Sequence, residues 1–140
     1  MKNIVVLISL IGLVCICTNG FADDLNKKIV GKWYNPYTYA STGEKKGFHF
    51  KKNGVCKALG TTLDLRKWYI KDGRLFIEGF YKDKETGKWE VYDTSEYIET
   101  LNSDSLFVLA DPEVRLGFLY MSPKALKKNV KPRSVEMKIK

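Results

Sequence analysis

The chain has 140 residues, a formal net charge of +8, one histidine and three cysteines. That length holds one domain of ordinary size, and one histidine with one cysteine beyond the leader does not make a zinc donor set. Residues 124–140 carry seven of the Lys and Arg side chains against Glu136, so +6 of the charge sits there and residues 23–123 are close to neutral; a nucleic-acid-binding domain puts its positive charge on a folded face instead.

Residues 1–22 form a cleaved secretory signal segment. Met1-Lys2-Asn3 is a short positive start, Ile4 to Cys17 is almost wholly apolar, and Gly20 and Ala22 supply the small residues of a cleavage site. The apolar run is short for a membrane span of about 20 residues. Lipid anchoring through Cys17 is the weaker alternative, because the bulky Ile16 precedes it. The exported chain then holds one thiol, Cys56, and no internal disulfide. With no histidine beside it in sequence, Cys56 reads as a small buried apolar residue rather than a reactive one. The expected location is the periplasm or the medium.

Asp23 to Lys28 suits a single helical turn with an aspartate cap. Strand signals follow. "GFHFKK", 47–52, sets Phe48 and Phe50 on one face and His49 on the other. Asn53-Gly54 reads as a two-residue type I′ turn into "VCKAL", 55–59. "RKWYI", 66–70, pairs Trp68 with Ile70. Asp72-Gly73 turns the chain into "LFIEGFY", 75–81, with Leu75 and Ile77 together. "KWEVYD", 88–93, reads as Trp89 and Val91 inward with charge outward. "EYIETL", 96–101, needs a bulge to bring Ile98 and Leu101 to one face. "LFVLA", 106–110, is apolar on both faces, with Leu106 and Val108 on the inner one. "VRLGFLYM", 114–121, alternates Leu116, Phe118 and Tyr120 against Arg115. Pro123 to Asn129 could form a short amphipathic turn, and "SVEMKIK", 134–140, is a last strand or a loose tail.

The expected fold is all-β: one antiparallel meander of about eight strands closing into a barrel, with a short N-terminal helical turn, over residues 23–123. Residues 124–140 are a basic C-terminal tail or last strand.

"LNKKIVGKWY", with Gly31-Lys32-Trp33 entering the first strand, resembles the start of a lipocalin. "YIETLNSDSLFVL" resembles the later strand pair of the small bacterial lipocalin-like domains. The resemblance covers residues 25 to 121. It implies that Trp33 plugs the closed end of the barrel with a late arginine stacked on it, for which Arg115 is the candidate within the body. It implies that Gly31 lets the backbone pass close to the N-terminal turn. It also implies that the loop from Asn35 to Lys46 lies over the open end.

Candidate ligand contacts follow from the loop and the alternation. Tyr37 and Tyr39 either form a half-wet binding rim or fold over the domain's own core. Phe48, Phe50, Trp68, Phe118 and Tyr120 face inward, and either line an apolar cavity or fill it. The ligand such a cavity would take is a small hydrophobic or amphipathic molecule. No cofactor or metal is called for, and no catalytic residue stands out: His49 sits on a polar strand face, and Glu78, Glu90, Glu96 and Glu99 read as solvated strand faces rather than paired catalytic carboxylates. The competing reading is a filled barrel that meets an envelope protein, anionic lipid or glycan through the tyrosine loop and the basic segment 124–140.

Overall fold

The computed structural model describes residues 24–133; the signal reading of 1–22 and the strand-or-tail reading of 134–140 fall outside the described residues. A helical turn over 24–29 (α1) leads into β1 (Gly31–Tyr34). Helix α2 (Pro36–Thr42) interrupts the path to β2 (Gly47–Phe50), and β3 (Cys56–Leu59) returns from it. Five longer strands follow: β4 (Asp64–Lys71), β5 (Arg74–Lys82), β6 (Trp89–Leu101), β7 (Ser105–Asp111) and β8 (Leu116–Met121). Helix α3 (Pro123–Asn129) ends the regular structure.

The strands form one eight-stranded antiparallel sheet in the order β3-β2-β1-β8-β7-β6-β5-β4. It curls into a nearly closed barrel, the expected meander. Its closure is uneven. β5 and β6 pair along nine residues, from Arg74↔Tyr97 to Lys82↔Trp89, whereas β1 and β8 meet only at Tyr34↔Met121. β3 and β4 are joined by an isolated bridge, Val55↔Lys67, and by the Trp68 amide donating to the Gly54 carbonyl at 3.0 Å. The thin β1–β8 joint is covered from outside. α3 packs on β1 and β8, Ser122 caps it by accepting from the Ala125 amide, and Ala125 and Leu126 are buried beneath it. The amphipathic turn expected over 123–129 is thus present, and this part of the basic segment is not a solvated tail. Beyond it, the Arg133 amide donates to the Ala40 carbonyl at 2.9 Å, tying the chain to α2.

The core follows the alternation over most of the barrel. Trp33, Phe50, Cys56, Leu65, Trp68, Leu75 and Ile77 are buried with Ile29 of α1, and Leu106 and Val108 meet them from β7. Trp33 is 3% exposed, and its indole Nε1 donates to the Ile29 carbonyl at 2.7 Å, so the one polar atom of the ring is satisfied inside. Trp68 does the same with the Lys51 carbonyl at 2.8 Å. Burial pushes the Cys56 thiol up to about 12, which leaves it an uncharged packing group at neutral pH.

Four local expectations are corrected. Arg115 does not stack on Trp33: it stands at the β7–β8 turn with φ 53°, and its guanidinium donates to the Glu99 carboxylate at 2.5 Å in solvent. Gly31 is not there for a close approach, since a Cβ would meet nothing within 4 Å; its φ of 136° is what a side chain would not accept. The Asn53-Gly54 turn is not type I′. Gly54 alone is left-handed, at φ 84°, and the Lys51 amide donates to the Val55 carbonyl, which makes a three-residue loop with glycine in the αL position. Asp72-Gly73 does take positive φ at both residues, 52° and 71°.

The fourth correction is the phase of β6. Phe80↔Val91 and Lys82↔Trp89 are partners on the outer face, where Trp89 is 57% and Val91 71% exposed. Thr94 faces the buried Ile77, and Glu96 the buried Leu75, on the inner one. So β6 turns Glu90, Tyr92, Thr94 and Glu96 inward and Trp89 and Val91 outward. Ile98 continues that inner row, and a bulge between Ile98 and Thr100 brings Leu101 onto it, so both pack against the core as the sequence required.

Candidate functional site

α2 is built by local rules. Asn35 caps it, its side-chain oxygen accepting from the Tyr37 and Thr38 amides at 2.9 and 3.1 Å, with Pro36 in the first turn. Gly43 ends it in the left-handed region, its amide donating to the Tyr39 carbonyl at 2.9 Å. The segment expected as a loop over the open end is therefore a short helix packed on β8.

Under α2 lies a cavity of about 150 Å³, lined by Asn35 and Thr38 above, Gly47, Phe48 and Tyr120 below, and Thr61 and Leu63 at the side. Lys46 reaches its edge, paired with Glu44 at 3.0 Å. Phe48 and Tyr120 form its aromatic floor, edge to face with ring centres 5.3 Å apart. From there a chain of rings descends into the core: Phe48 stacks on Phe50 at 5.8 Å, and Phe50 meets Trp68 edge-on at 5.7 Å.

The candidate contacts thus divide. Phe48 and Tyr120 line the cavity. Phe50 and Trp68 belong to the packed core below it, and Trp68 shows an edge to a separate groove of about 520 Å³ outside the barrel, beside Asn26 and Lys27 of α1. Phe118 is on the inner row of β8, opposite Val108, and is 42% exposed towards the open end. Tyr37 is 71% exposed on α2 and Tyr39 half-buried, and neither lines the cavity, because the helix turns them away from it.

Two inner-wall residues depart from the sequence reading, which does not single out Tyr92 and reads Glu96 as a solvated strand face. Tyr92 packs against the core from β6, and Glu96 stands two inner positions away on the same strand, half-buried. Burial pushes the Glu96 carboxyl above its ordinary value, and no hydrogen bond among the described residues offsets that. Burial, and then the Glu96 charge, raises both the Tyr92 and the Tyr120 phenol. The signal that would have found them is the polar loop from Asp83 to Lys88, which pairs Lys82 with Trp89 and so sets the phase of β6 against β5.

His49 lies on the outer face, opposite Lys32 and Lys57 in the strands on either side. Burial, with Lys32 and Lys51 adding to it, lowers its pKa, so it is neutral near pH 7. No ion pair or hydrogen bond joins it to a carboxylate or hydroxyl among the described residues.

A small eight-stranded meander with a short helical turn before its first strand, a buried indole at the G-x-W position and a small cavity under α2 defines a lipocalin-type barrel. The lipocalin-like family model matches residues 25–121, and the chain belongs to that family. In fold it is similar to a lipocalin-like protein from Bacteroides thetaiotaomicron VPI-5482, known from a crystal structure, with a TM-score of 0.57 and 23% identity over 67% of this chain and 95% of that one. No curated protein matches the chain.

Proposed function

We propose that the chain is an exported, non-catalytic binding protein that holds a small apolar or amphipathic ligand at the mouth of its barrel. The observation that carries this reading is the half-covered inner wall. Phe48, Tyr92 and Tyr120 pack against the core with one side and remain partly open on the other, and two of them floor the cavity under α2. That cavity is small beside the ~300–1,000 Å³ of ordinary ligand sites, so it suits a compact molecule, or one end of a longer one. Family membership supports binding over catalysis, and the export reading rests on the residue pattern of 1–22.

Native mass spectrometry of the protein purified from its own host tests both parts. The expected result is a mass lacking residues 1–22 and a bound small molecule lost on mild activation. Retention of the leader would remove the export reading, and a ligand-free species that binds no apolar probe would remove the binding one.

A second reading has its own observation. Trp89 and Val91, with Phe80 beside them, make an apolar strip on the outer face of the β5–β6 hairpin, and exposed strips of this kind serve contacts with other macromolecules. On this reading the barrel is an interaction module. Cross-linking from position 89 that captures one defined envelope component would favour it.

A further inference from the structure

The inverted phase of β6 bears on which ligand the barrel takes. Binary patterning puts apolar residues inside a small barrel, and the strands that pair with β6 on either side, β5 and β7, obey it through Leu75, Ile77, Leu106 and Val108. β6 alone places a carboxylate on the inner wall level with Leu75. Following the register round the barrel, no Lys, Arg or His falls on an inward row among the described residues. The four ion pairs formed among them all lie elsewhere, and Lys46 at the mouth is already matched to Glu44. The inner strand rows therefore carry carboxylates and no matching cation.

A carboxylate that has already lost part of its water, and has no partner of its own, gains more from an incoming cation than an exposed one does. Tyr92 and Tyr120 share the inner wall with it and act in the same sense, since ring faces attract cations. An anionic ligand would meet the opposite sign. We propose that the barrel interior binds a small apolar amine, its protonated nitrogen on the Glu96 carboxylate and its body against Phe48 and Tyr120. This rests on the binding reading above and narrows it to a chemical class. Glu96 is then the residue that sets specificity, and Tyr92 and Tyr120 shape the space around the nitrogen.

The test uses three probes of nearly equal size and shape with the full chain at pH 7: 2-phenylethylamine, 2-phenylethanol and 3-phenylpropionate. Affinities come from calorimetry, and the place of binding from chemical-shift changes at Tyr92 and Tyr120. The amine is expected to bind at least tenfold more tightly than the alcohol, and the carboxylate most weakly. Glu96→Gln, checked for folding by its thermal transition, is expected to bring the amine down to the level of the alcohol. An amine no tighter than the alcohol, or indifferent to Glu96→Gln, overturns the inference while alcohol binding at Tyr120 leaves the wider binding reading standing. Shifts confined to the outer face overturn it as well. Failure of all three probes to bind removes both.

Discussion

β5 and β6 are neighbours over nine residue pairs, yet they treat their side chains in opposite ways. On β5 the apolar Leu75 and Ile77 go inside and the charged Arg74 and Glu78 go out. On β6 the inner row is Glu90, Tyr92, Thr94 and Glu96, and the outer row includes Trp89 and Val91. Both strands are held by the same ladder of hydrogen bonds. Backbone pairing therefore fixes where β6 lies, and its side chains do not need to. A strand clamped between two well-patterned neighbours is free to carry polar groups inward, where a ligand can use them.

The largest expected effect lies on the well-patterned side. Trp33→Ala removes a buried ring and its hydrogen bond to Ile29, and should cost about 3–5 kcal/mol in urea unfolding. Ile77→Ala, opposite Thr94, should cost about 2–5 kcal/mol by the same measurement. A loss under 1 kcal/mol at Ile77 would mean that the β5 inner row is no better packed than that of β6, and the contrast would fail.

Glu96→Gln acts the other way. Burial holds the folded-state pKa of Glu96 above its unfolded value, so its favourable contribution is complete below the unfolded pKa and is lost as pH rises through the folded one. Glutamine does not titrate. The variant should match the parent in acid and melt at a higher temperature near pH 7, with the gain growing as pH rises through the carboxyl's raised range. Equal melting curves at both pH values would show that Glu96 is effectively solvated. The smallest effect belongs to the outer row of β6: Val91→Lys should change stability by less than about 0.5 kcal/mol, where the same change at Ile77 would prevent folding.

The same contrast explains what the sequence disclosed. Period-two alternation with turn pairs at fixed intervals was enough for an eight-stranded meander, for Trp33 as an interior residue, and for the bulge before Leu101. These features depend on hydrophobic burial, which alternation reports directly. Tyr92 was missed because "KWEVYD" alternates as cleanly as any strand here but with the reverse sense, and hydrophobicity alone cannot signal that; Glu96 shares its face with Ile98, but a carboxylate carries no burial signal and reads as solvated. Arg115 was misplaced because proximity in the barrel depends on register, and the β7–β8 turn carries it to the open rim beside Glu99. Phe50 and Trp68 were placed on the correct face, but a face does not say how deep a side chain lies.

The single pairing of Tyr34 with Met121 has a consequence of its own. Where β1 and β8 meet, the wall is held mostly by what leans on it, above all Leu126 of α3. Undocking that helix would unzip the cylinder along its length and turn it into a curved ribbon without breaking any of its longer ladders. Amides of Tyr34 and Met121 should therefore exchange with deuterium together, on the timescale of α3 release, well before those shared by β5 and β6.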